Sequence, residues 1–279
     1  MAAHRRSRRI IAIGIVLALA SACWISAIAL FMNVIWPTPS VEEDMLIRKD
    51  SFTLDAGHLA DGFFLAKREP CSSGLKLRVT KDKATYTYDL NNQGEYEVFP
   101  LQLGNGIYKC TLYRNVKGTK YTTEAEVKLE VEMTNEYAPY LVPNQYVNYN
   151  EETYAVQASL RLCEGLETPE EKLRVIREFI RENFTYDYER ARKQKSFYYG
   201  NADGCFETRK GLCQDYAVML CSMLRVQGIP TKMVLGYAEN FYHAWNQVLI
   251  GDEYQLIDVT AEISSGKDRF RSYTPERYY

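Results

Sequence analysis

The hydrophobic pattern of this 279-residue chain passes from a period of two to a helical period near its middle, and that change limits it to a mixed architecture. From about Ser51 to Met133 apolar and polar residues alternate, as in Thr85–Tyr88, Gly106–Tyr113 and Glu126–Val131. Successive side chains of a strand point to opposite faces, so this alternation marks strands with one buried face. Asn91-Asn92-Gln93-Gly94 and Lys117-Gly118 supply turns between them. Beyond a linker bracketed by Pro139 and Pro143 the period becomes helical. The expected architecture is α+β, with a small antiparallel β-sandwich over 51–135, a linker and helix over 136–168, and a second domain over 169–279.

The helical stretch carries its own punctuation. In Thr168-Pro169-Glu170-Glu171 the threonine can cap, proline fits the first helical position, and the second glutamate can reach back to the cap. Leu173, Ile176, Phe179, Ile180 and Phe184 then recur on one face. A second helix is expected from Cys213 to about Gln227, stopped by Gly228 and Pro230. Strands follow over Thr231–Tyr237, Ala244–Ile250 and Tyr254–Val259, the last two joined by a turn at Gly251-Asp252.

The other end of the chain reads as a membrane anchor. Arg5, Arg6, Arg8 and Arg9 form a basic head over 1–9, and no charged residue occurs from Ile10 to Val41. A helix over 10–36 would be roughly 40 Å long, enough to cross a hydrocarbon core of about 30 Å. The arginines should stay cytoplasmic, which places the body outside the cell on a single-pass anchor, with 37–50 as a stalk. Cleavage at Ala20-Ser21-Ala22, or lipid attachment at Cys23, are the alternatives, and each also exports the body. Apart from the arginine head the chain is mildly acidic, which excludes nucleic acid as a partner.

Of the seven cysteines, six lie beyond the apolar segment. None has zinc-knuckle spacing, and only His58 and His243 could assist, so no metal or cofactor is expected. Cys71 with Cys110 is a candidate disulfide within the β-module. Cys213 differs from the rest because it begins a helix directly after Gly211-Leu212. Unpaired N–H groups and the helix dipole favour a thiolate there, and Gly211 leaves room for a substrate backbone. His243 is the sole histidine of the C-terminal half. With a two-residue turn at Gly251-Asp252, Trp245 faces Asp258, so His243 and Asp258 share one face as diagonal neighbours. Asp258, flanked by Ile257 and Val259, needs a partner that an imidazole would supply.

Four ordered blocks carry a resemblance. They are Lys210-Gly211-Leu212-Cys213-Gln214-Asp215-Tyr216-Ala217, Leu224-Arg225-Val226-Gln227-Gly228-Ile229-Pro230-Thr231, His243-Ala244-Trp245-Asn246 and Ile257-Asp258-Val259-Thr260. Over about 169–262 the chain resembles the transglutaminase-like core, within the papain-like cysteine enzymes. The resemblance implies Cys213 as nucleophile, His243 as general base and Asp258 as the group orienting it. It implies acyl transfer from an amide of a protein or peptide, through a thioester, to an amine or to water. Tyr186 and Gln214 are the candidates for an oxyanion side chain. The rival expectation is a non-catalytic cell-surface binding or scaffold protein on the same fold.

Overall fold

A computed structural model describes residues 40–266 and 270–279. The expected anchor over 10–36 lies outside the described residues. Among those described, no helix is long and apolar enough to cross a membrane.

The alternating stretch, with the residues just before it, forms eight strands in two four-stranded antiparallel sheets. These are β1 (Leu46–Lys49), β2 (Phe52–Asp55), β3 (Phe63–Arg68), β4 (Leu75–Lys81), β5 (Ala84–Leu90), β6 (Glu97–Pro100), β7 (Gly106–Lys117) and β8 (Lys120–Val131). One sheet has the order β1-β2-β3-β6 and the other β5-β4-β7-β8. Tyr88 of one sheet meets Phe99 of the other edge to face, with ring centroids 5.4 Å apart. Leu54, Phe64, Leu77, Tyr108 and Leu112 complete a dry interior. Burying each such side chain contributes about 1.5–3 kcal/mol. Leu46–Lys49, read from sequence as stalk, is an edge strand paired with Phe52–Asp55.

One expectation about cysteine is corrected here. Cys71 and Cys110 are both free thiols. Cys110 is buried in β7, where loss of solvent pushes its pKa up to about 12, and Cys71 donates to the Ser73 carbonyl.

The second half contains α1 (Tyr154–Leu162), α2 (Pro169–Asn183), β9 (Thr185–Tyr186), α3 (Tyr188–Lys193), α4 (Ala202–Thr208), β10 (Lys210–Gly211) and α5 (Cys213–Arg225). β11 (Thr231–Ala238), β12 (Phe241–Ile250), β13 (Glu253–Ile257), α6 (Val259–Ser265) and β14 (Tyr273–Tyr278) follow. The capping box at the start of α2 forms, with Thr168 Oγ1 accepting from the Glu171 N–H and Glu171 reaching back to Thr168. The last four strands make one antiparallel sheet of order β13-β12-β11-β14.

Helix α5 is the axis of this half. Every residue from Gln214 to Arg225 is buried, so all its faces are packed and not one alone. The helix is enclosed by α1, α2, α4 and the sheet, and Cys213, at its first position, is its only partly exposed residue. Arg225 at the far end is fully buried, and among the described residues no Asp or Glu side chain pairs with it. Its guanidinium instead donates to the carbonyls of Val142, Thr231 and Tyr279, joining the linker, β11 and the chain beyond β14. Four such bonds replace the water that a buried cation otherwise requires.

Candidate active site

The site is assembled where α5 begins beside β12. Leu212 is extended, with φ −109° and ψ 179°, and helical geometry starts at Cys213. Asp215 fixes that start: its Oδ2 accepts the Leu212 N–H at 2.8 Å and the Arg190 guanidinium at 2.7 Å, while its Oδ1 accepts the Asn201 N–H at 2.9 Å. One buried carboxylate therefore holds the helix start, α3 and the 198–201 segment in register. Gly211 serves packing rather than substrate access: a Cβ there would sit 2.3 Å from the Cys205 sulfur and 3.1 Å from the Tyr216 ring.

His243 enters from β12. The two-residue turn at Gly251-Asp252 gives the expected register, from Ile250 opposite Glu253 to Asn246 opposite Ile257. Pairing stops there, because Asp258 does not continue the strand. It is the N-cap of α6, its Oδ1 accepting from the Ala261 N–H at 2.9 Å. Its Oδ2 lies 2.9 Å from His243 Nε2 and accepts from the Tyr273 hydroxyl at 2.7 Å. Nε2 being engaged, Nδ1 is the nitrogen left to meet the Cys213 sulfur. Burial opposes charging this ring. Hydrogen bonds to Asp258 and Cys213, with the electrostatic pull of the same two groups, outweigh it and push its pKa up to about 9. The ring lies over Trp245 and against the edge of Phe270. Asn246 anchors the same strand to α5 through the Ala217 carbonyl, 2.9 Å away.

Cys213 and His243 open onto a cavity of about 370 Å³ whose walls include Tyr186, Lys195, Phe197, Tyr198, Gln214 and Tyr242. Tyr186 lines it, and burial followed by the Cys213 charge pushes its pKa up to about 12. Among the described residues no hydrogen bond orients the side chains of Tyr186 or Gln214, the two expected oxyanion groups.

Sequence reasoning thus names Cys213, His243 and Asp258, and the structure brings all three to one junction. It misses Tyr273, Asp215, Arg190 and Tyr198, which arrive from distant segments. For Asp215 a signal was present, since an aspartate at the third position of a helix commonly turns back to the start.

Residues 156–259 match the profile of the transglutaminase-like superfamily. The chain carries a transglutaminase-like core. Among solved structures, this core is similar to part of a transglutaminase, at 22% identity and a TM-score of 0.33, over 38% of this chain and 30% of that one. A transglutaminase from red sea bream matches at 13% identity and a TM-score of 0.31, covering 74% and 49%. A candidate cysteine protease from Cytophaga hutchinsonii matches at 13% identity and a TM-score of 0.39, covering 88% and 82%. The chain thus spans less than a third of the first of these solved structures. No curated protein matches it.

Proposed function

We propose that this chain is a cysteine acyl-transfer enzyme acting on amide bonds of proteins or peptides, with Cys213, His243 and Asp258 as its triad. The observation that carries the reading is the imidazole itself. His243 is bonded to a buried carboxylate on one side and faces, at the mouth of a cavity, a cysteine at a helix N-terminus on the other. A raised pKa keeps its proton in place at neutral pH, so the ring already holds the proton the leaving amine needs, while the helix N-terminus favours the thiolate that attacks. The sulfur bonds to the carbonyl carbon, the C–N bond breaks with transfer of the His243 proton to nitrogen, and a thioester remains. An amine or water then gives a proton back to His243 as it adds to the thioester carbon, and the C–S bond breaks to release the thiolate. Asp258 holds the ring orientation and its positive charge. The uncharged stretch behind four arginines supports a single-pass anchor with this body outside the cytoplasm, acting on surface proteins or peptides.

Iodoacetamide at near-neutral pH, followed by peptide mass spectrometry, tests the reading. Cys213 should be alkylated ahead of the five other described thiols, four of which are buried. His243→Ala should remove that preference. Uniform inertness would instead favour a scaffold that has kept the fold without the chemistry.

A further inference from the structure

Attack on a carbonyl moves an electron pair onto its oxygen, and a site for that chemistry needs donors aimed at the oxygen. The first turn of α5 offers one: no hydrogen bond among the described residues engages the Cys213 N–H. The next amide along, Gln214 N–H, is occupied by the hydroxyl oxygen of Tyr198, 3.3 Å away. We propose that Tyr198 is the second oxyanion donor of this site.

Several observations meet at this hydroxyl. Tyr198 lines the same cavity as Cys213 and His243, and its hydroxyl meets the backbone amide of Gln214, the residue next to the nucleophile. Because the Gln214 N–H donates to its oxygen, that oxygen already has an acceptor role, and the hydroxyl proton is left to point away from the helix. Burial, and after it the negative charge of Cys213, raises the Tyr198 pKa, so the proton stays on the phenol across the working range. The ring is held in place. The Arg190 guanidinium lies over it at 4.8 Å, and Arg190 is in turn fixed by Asp215, the residue that sets the start of α5. Tyr198 is therefore referenced to the same carboxylate as the nucleophile, which is the rigidity a preorganised donor requires.

The assignment rests on the acyl-transfer reading above. When the thiolate adds to a carbonyl, the C–S bond forms and the carbonyl π pair moves to oxygen, where the Cys213 N–H and the Tyr198 O–H receive it. When the pair returns, the leaving group departs and both bonds revert to the weaker ground-state acceptor. Alkylation by iodoacetamide involves no such oxygen, since carbon–iodine cleavage sends charge to iodide. The two reactions therefore separate a donor to the oxyanion from a group that merely tunes the thiol.

The test compares wild type and Tyr198→Phe in the full chain, measuring release of nitrophenolate from p-nitrophenyl acetate and alkylation of Cys213 by iodoacetamide. The expected result is acylation slowed about 100-fold with alkylation changed less than about two-fold. Tyr198→Trp, which restores an N–H donor on an aromatic ring, should recover part of the acylation rate and covers the case of a Phe variant that fails to fold. Equal loss in both reactions would make Tyr198 a structural or thiol-tuning residue, and loss in neither would remove it from the mechanism. A wild-type chain with neither Cys213-dependent acylation nor alkylation would overturn the enzyme reading itself, and this assignment with it.

Discussion

The two halves of the molecule bury different things. The β-module excludes water with Leu54, Phe64, Leu77, Tyr88, Phe99 and Tyr108, and its few buried polar residues, such as Asp55, serve local loops. The transglutaminase-like core instead buries Asp215, Ser222, Arg225, His243, Asn246 and Asp258 along one helix and the strands beside it. An apolar interior is tolerant, because a lost methyl group weakens it without redirecting it. A buried polar network fixes direction, because each member has few partners and a misplaced one is left unsatisfied. Damage in the module should therefore appear as lost stability, and damage in the core as lost turnover.

The largest effect should come from Asp258→Asn. Asparagine still caps α6, so the fold should survive. The ring loses its charged partner, and nitrophenyl ester acylation should fall by roughly 10²–10⁴. The pH profile sharpens this test. A raised pKa means the imidazolium is complete below its ordinary value of about 6.5 and is lost as pH rises through about 9. Turnover of an amide substrate, whose amine leaves with that proton, should fall on that alkaline limb, as should the stability contributed by the ring's ionic partners. In Asp258→Asn the limb should move to lower pH. A variant that melts far below wild type would show that this carboxylate holds the fold as much as the base.

Leu77→Ala makes the opposite test, in the module. Leu77 is fully buried between strands, and truncation should cost about 2–5 kcal/mol in urea unfolding. Acylation per folded molecule should be unchanged. A matching loss of turnover would mean that the module shapes the site, and the contrast between the halves would fail.

The smallest effect should come from Thr168→Ala, which removes the capping box of α2. It should lower stability by about 1 kcal/mol and leave activity alone, as measured by thermal melts and the same ester assay.

What was legible in sequence was local. The capping box, the two-residue turn and the strand register each depend on a few neighbouring residues, and register alone placed His243 near Asp258. The strand was nonetheless read two residues too long. Ile257 and Val259 flank Asp258 as strand-forming residues would, and this outweighed its capping preference. The remaining misses are tertiary. Tyr273 reaches Asp258 from the last strand, and Arg190 reaches Asp215 across 25 positions of sequence. Neither contact has a periodic signature, because each depends on where whole elements dock.

The guanidinium at the end of α5 links its surroundings to the order of biosynthesis. Its carbonyl partners leave the ribosome in the sequence Val142, Thr231 and finally Tyr279. Until the last has emerged, Arg225 has an unmet donor and the end of the helix stays hydrated. The bond to Tyr279 therefore makes the docking of β14 the step that completes this end of α5, the end opposite the nucleophile.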